Sequence, residues 1–187
     1  MSRIATPATV DAAPEKAQPL LNAVNAQLGV VPNMFRLIAN SPATLEGLLG
    51  LSGGLGKGAL PAATRERIAL AVAEANGCSY CLSAHTYLGR NLAKLDDAEI
   101  TANRNGASND PTADAAVGFA VKLVRDRGHV SQSDVSAVTR AGYSDAQILE
   151  IVAHVALNTF TNYVNEAFKT EIDFPVVEAR TAVRRAA

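Results

Sequence analysis

The stretch from Ser144 to about Lys169 constrains this chain most. Ile148, Ile151, Val152, Val155, Ala156, Phe160, Val164 and Phe168 recur there at helical spacing, with Ser144 as the N-cap. A broad apolar face on so long a helix is stable only when other helices cover it. The rest of the chain supplies them, because no stretch shows sustained apolar/polar alternation. The expected fold class is therefore all-α.

Glycine, proline and capping residues divide the remainder. Residues 1–14, with Pro7 and Pro14, read as an extended arm, weakly ordered alone or laid on a partner subunit, and residues 15–187 as a single helical domain. Helices are expected over Glu15 to Leu28, ended by Gly29, over Met34 to Asn40 between Pro32 and Pro42, and over Ala43 to Leu51, weakened from Ser52 to Gly54. A stronger signal follows Pro61, from Thr64 to Asn76, with Gly77 placed to turn the chain. The next helix opens at Cys78 and is expected to run through Leu92 to Leu95. Asp96-Asp97 caps a short piece, Asn105 to Pro111 is loop chemistry, Thr112 to Arg127 forms a helix ended by Gly128, and Ser131 or Ser133 caps another up to Ala141. The long C-terminal helix is expected to be the main packing partner of the helix that carries Glu66. Ile68-Ala-Leu-Ala-Val-Ala73 and Ile151-Val-Ala-His-Val-Ala156 share a frame that faintly suggests a duplicated unit.

With 187 residues the chain is long enough to bury a real core without a disulfide staple. Seventeen basic and eighteen acidic residues nearly cancel and are scattered, which argues against a grip on nucleic acid or anionic lipid. No run approaches the roughly 18 apolar residues of a membrane span, and the first residues contain no continuous apolar leader, so a soluble, cytoplasmic protein is expected. In that compartment two closely spaced cysteines point to redox catalysis or metal rather than to a structural bridge.

Both cysteines of the chain and one of its three histidines fall in Cys78-Ser79-Tyr80-Cys81-Leu82-Ser83-Ala84-His85. On a helix these three side chains rise from one face, and Cα atoms at i and i+3 lie roughly 5–6 Å apart, within disulfide range. A reactive thiol must ionise below about pH 8.5. Cys78 sits near a helix N-terminus, which favours its anion, and His85 lies one turn beyond Cys81, where it can take or return a proton. Glu66, on the preceding antiparallel helix, can orient that imidazole. Plainer uses stand beside these: the cysteines as small buried hydrophobes, His85 as a core residue, Glu66 as part of a surface cluster with Arg65 and Arg67. Structural zinc needs more ligands than His129 and His154 offer at their distance in sequence, haem attachment needs a histidine where Leu82 stands, and a thioredoxin-like pair needs a strand before it.

Glu66, eleven intervening residues, then Cys78-x-x-Cys81-x-x-x-His85 after an Asn76-Gly77 helix break resembles the core signature of the alkylhydroperoxidase AhpD family, in the carboxymuconolactone decarboxylase-like superfamily. The C-terminal helix, with Glu150, Asn158, Asn162 and Asn165, is similar to that of its peroxidase-related members, and the resemblance covers roughly residues 30–170. It implies an AhpD-like helical bundle and a thiol peroxidase or thiol–disulfide oxidoreductase with an antioxidant role. Cys81 is then the residue that attacks a small hydroperoxide, Cys78 resolves it, and His85 and Glu66 relay protons; helix position alone favours Cys78 as nucleophile. Tyr80 stands between the cysteines, where the best-studied members have histidine, and a phenol is a poor base near neutral pH. The resemblance further implies homo-oligomers, trimers or hexamers, and an external dithiol reductant. The motif requires no cofactor. Three other readings remain: a decarboxylase acting on a small organic acid with His85 as acid/base, a redox sensor without turnover, and an inert structural oligomer.

Overall fold

The computed structural model describes residues 2–180. A 3-10 turn at Glu15–Ala17 leads into α1 (Gln18–Leu28), α2 (Asn33–Ile38), α3 (Pro42–Leu55), α4 (Ala62–Asn76), α5 (Ser79–Asn91), α6 (Asp97–Arg104), α7 (Pro111–Arg125), α8 (Gln132–Arg140) and α9 (Asp145–Phe168). Among the described residues every regular element is helical, as the periodicity requires, and no helix is long and apolar enough to cross a membrane.

The centre is α4. Ile68, Ala69, Leu70, Ala71, Val72 and Ala73 are each no more than 2% exposed. A helix buried on every side shows no amphipathic stripe, and α4 accordingly packs against α5, α6, α7 and α9. The expectation that α9 is its main partner is thus too narrow: Ile68 and Val72 share a cluster with Ala116, Phe119, Ala120 and Leu123 of α7 as well as with Ile148, Ile151 and Val155 of α9. Leu70 and Ala73 face Cys81, Leu82 and Ile100 on the other side. Full burial of each of the larger side chains contributes about 1.5–3 kcal/mol.

Several boundaries differ from expectation for local reasons. α3 continues through Ser52-Gly53-Gly54 to Leu55 because Ser41 caps the Thr44 N–H, Leu45 and Leu48 are buried, and the Arg65 guanidinium donates to the Leu55 carbonyl at 3.0 Å. α5 stops at Asn91 instead of Leu95: Lys94 takes a left-handed conformation, and Leu95 folds back so that its N–H meets the Gly89 carbonyl at 2.9 Å. The apolar face read on α9 is two faces, with Ile148, Ile151 and Val155 inward but Val152 and Phe160 exposed.

The N-terminal arm lies on its own chain. The Arg3 N–H donates to the Phe168 carbonyl at 2.6 Å, the Asn40 amide to the Ala5 carbonyl at 2.8 Å, and Arg36 to the Ala8 carbonyl. Val10 and Ala13 join a cluster with Leu21, Leu37 and Leu45. At the other end Lys169 ends α9 in a left-handed conformation, and residues 170–180 form an irregular strap that returns over α5. Ile172, Phe174, Val177 and Ala179 pack beside Cys78, Tyr80 and Leu82.

Candidate active site

Two residues separate α4 from α5. Gly77 adopts φ 72°, ψ 32°, a region open to glycine, and its N–H donates to the Glu74 carbonyl while the Cys78 N–H donates to the Ala73 carbonyl. This doubly bonded stop closes α4 and leaves Cys78 extended as the N-cap of α5. A sulfur takes the place of the usual capping oxygen: Cys78 Sγ accepts the Cys81 N–H at 3.5 Å. The two thiols, both free, are therefore held together by the start of the helix itself.

Cys81 is buried within α5 and faces α9. Asn165 Nδ2 donates to its Sγ at 3.2 Å, and Thr161 Oγ1 lies 3.9 Å from it. The Cys81 thiol is pulled down to about 6. A hydrogen bond from the Cys78 thiol is the largest influence, burial opposes it, and the charge of His85 and the Asn165 and Asn162 amides add to it. Cys78 moves the other way, pushed up by donating that same bond and by its burial. The two thiols of one cap are thus shifted in opposite directions, Cys81 down and Cys78 up.

Glu66 and His85 meet. His85 Nδ1 lies 2.9 Å from Glu66 Oε2, with both side chains largely covered. Burial works against a charge on His85, and the Glu66 carboxylate outweighs it, so the imidazole binds its proton more tightly than usual. The neighbours of Glu66 in sequence turn elsewhere: Arg65 to the Leu55 carbonyl, Arg67 to Glu99 at 2.7 Å. The charge cluster suggested by Arg65-Glu66-Arg67 is not formed.

Tyr80 is placed apart from that pair. Its hydroxyl donates to Asp173 Oδ1 at 2.8 Å and accepts the Met34 N–H at 3.1 Å, while its ring meets Phe174 edge-on. Burial pushes the phenol up, and Asp173 adds to this against the Met34 N–H. Tyr80 is a tether between α5, α2 and the strap. The serines beside it do the same: Ser83 Oγ accepts the Val177 N–H and Ser79 Oγ the Ala179 N–H.

Reasoning from local pattern did not pair Asn165 and Thr161 with Cys81. Asn165 carried only the resemblance of the C-terminal helix, and nothing in the spacing signals a contact 84 residues away. It also missed the clasp at Glu150, whose carboxylate accepts the Ala59 and Leu60 N–H groups at 2.9 and 2.7 Å. Gly58 makes room for it, since a Cβ there would fall 2.6 Å from that carboxylate. Among the described residues no three His, Cys, Asp or Glu side chains are grouped to hold a metal ion.

Comparison with known proteins gives a consistent picture. Residues 42–126 match the model of the Carboxymuconolactone decarboxylase family. An alkylhydroperoxidase AhpD core, an uncharacterized peroxidase-related protein from Ralstonia eutropha JMP134, superposes with a TM-score of 0.82 at 24% identity, covering 92% of each chain. An uncharacterized peroxidase-related protein from Silicibacter sp. TM1040 superposes with a TM-score of 0.79 at 25% identity over 91% of each. The debrominase Bmp8, in complex with 2,3,4-tribromopyrrole, superposes with a TM-score of 0.75 at 22% identity over the full length of both. No curated protein matches the chain.

Proposed function

We propose, from the premise that the chain is an AhpD-like member of the carboxymuconolactone decarboxylase superfamily, that it is a thiol-dependent hydroperoxide reductase with an antioxidant role. The observation that supports this reading is the environment of Cys81: a thiol held ionised near neutral pH by hydrogen-bond donors, with a second thiol capping the same turn and a carboxylate-bound imidazole beside it.

The Cys81 thiolate attacks the terminal oxygen of R–O–O–H. The O–O bond breaks, the alkoxide takes the proton held by His85 and leaves as alcohol, and Cys81 becomes a sulfenic acid. Cys78 then attacks the Cys81 sulfur; its proton goes to the departing hydroxide, and water and a disulfide result. Both thiols have lost one electron each, and an external dithiol restores them. Glu66 keeps His85 oriented and its proton available. The cap geometry requires little backbone movement for the disulfide to close.

We further infer a homo-oligomer. Leu149, Val152, Phe160 and Tyr163 are 71, 42, 38 and 63% exposed along one face of α9, an apolar row that a second copy would cover.

The test adds one equivalent of cumene hydroperoxide to the pre-reduced protein and reads each cysteine by mass. Wild type forms the Cys78–Cys81 disulfide, Cys78→Ser stalls at a sulfenic acid that dimedone traps, and Cys81→Ser does not react. Equal oxidation in all three sinks the mechanism. The family match also carries a decarboxylase reading; in that case the double Cys→Ser variant keeps its turnover.

A further inference from the structure

His154 has no place in the mechanism above, yet it is built into the same site. It lies on α9, 7% exposed, and its Nε2 is buried with no hydrogen-bond partner among the described residues. The charged and titratable groups that face it are Arg65 and Glu66 of α4, His85 of α5 and Glu150 of its own helix. Two of these are committed elsewhere: Arg65 to the Leu55 carbonyl, Glu150 to the Ala59 and Leu60 N–H groups. Glu66 is half committed, because His85 takes Oε2 and no protein group bonds Oε1 among the described residues.

The rest of that side of α9 is polar and already serves the thiol. Asn158, Thr161, Asn162 and Asn165 are buried in helical register with His154, and Asn165 and Thr161 reach Cys81. His154 continues this polar side one turn before Asn158, and both Glu66 and His85 lie near enough to act on its ring through their charge. Its imidazole is neutral, held below its usual value first by burial and then by Arg65, and a neutral imidazole offers one donor and one acceptor. A buried ring nitrogen left unbonded is destabilising, so such a group is kept where water or another polar group completes it.

We propose that His154 is a positioning residue of the relay, donating from Nε2, through one buried water, to the Glu66 oxygen that His85 leaves free. Glu66 is then bonded at both oxygens and cannot rotate away from His85 Nδ1, and the other ring nitrogen of His85 stays turned to the reacting groups. The inference rests on the relay reading of Glu66 and His85, but its test does not depend on peroxide turnover.

Leucine has nearly the volume of histidine and no polar atom, so a histidine that only fills the core is replaced by it without loss. The chain has three histidines, and His129→Gln assigns the signals, so ring titrations of His85 can be followed by NMR in wild type, His154→Leu and His154→Gln. In His154→Leu the proton affinity of His85 falls about tenfold and the alkylation midpoint of Cys81 moves up, with thermal stability kept; His154→Gln, whose amide reaches as far, restores both. If His154→Leu folds and leaves both titrations where they are in wild type, the proposal is wrong. If His154→Leu does not fold, His154→Gln is compared with His154→Asn, one carbon shorter: the proposal requires Gln to keep the His85 titration and Asn to lose it, and identical titrations overturn it. Wild type that resists cumene hydroperoxide while His85 still responds to residue 154 defeats the peroxidase reading and leaves the positioning role intact.

Discussion

Asn165→Leu separates thiol activation from stability. In the folded protein Asn165 is 2% exposed, and its Nδ2 donates to Cys81 Sγ at 3.2 Å, while its Oδ1 is buried without a partner among the described residues. A hydrogen bond to a charged group contributes about 1.5–3 kcal/mol, and one pKa unit corresponds to about 1.4 kcal/mol. Removing the donor therefore raises the Cys81 thiol from about 6 to roughly 7–8. The same substitution loses that bond but also removes an orphaned buried acceptor, itself worth about 1–3 kcal/mol, so the two nearly offset and thermal stability changes little. Reaction rate at pH 7 is a poor assay: for a shift of about 1.5 units the thiolate fraction falls about fourfold, but intrinsic nucleophilicity rises by nearly the same factor. The informative quantity is the midpoint of iodoacetamide alkylation against pH, read by mass at Cys81. A midpoint within about 0.3 units of wild type refutes the argument that Asn165 holds the anion.

Two further outcomes follow from the same geometry. Because the folded Cys81 ionises below its unfolded value, its contribution to stability is lost as pH falls through about 6 and grows as pH rises toward the ordinary thiol range near 8.5, where Cys78, raised in the folded state, begins to oppose it. The melting-temperature gap between reduced wild type and Cys81→Ser should widen from pH 5 to pH 8, and a constant gap contradicts the assignment. Tyr80→Phe removes the partner of the Met34 N–H and of Asp173, costing about 1–3 kcal/mol in chemical denaturation, with the Cys81 alkylation midpoint unmoved; a shifted midpoint would return Tyr80 to the proton chemistry.

What could be read in advance was what depends on near neighbours in the chain. The cap at Ser144, a serine cap at Ser131 or Ser133 that the structure places at Ser131, the stop at Gly77 and the closeness of Cys78, Cys81 and His85 follow from turn and helix geometry that a few residues determine. The Glu66–His85 contact was legible because only the two-residue connection Gly77-Cys78 joins α4 to α5, which leaves them little choice but to pack side by side. The strap was not legible, since residues 170–180 have no period and draw their order from Ser79, Ser83 and Tyr80, about 90–100 residues earlier. The docking of the arm was hidden for the same reason: its bonds run from backbone carbonyls to Arg36 and Asn40, and backbone groups carry no sequence signature.

The burial of α4 on all sides sets how the site tolerates change. A surface helix can slide or rotate by a fraction of a turn as its neighbours drift, because its outer face has nothing to collide with. α4 has no such face between Ile68 and Ala73, so any rotation drives one of six packed side chains into another helix. Glu66 stands at one end of that locked segment and Gly77, which launches the cysteine turn, at the other. The distance between the Glu66–His85 pair and the thiols is thus gauged by the volume of the core, and repacking α4 with larger or smaller residues changes the geometry of the proposed relay without touching any of its members.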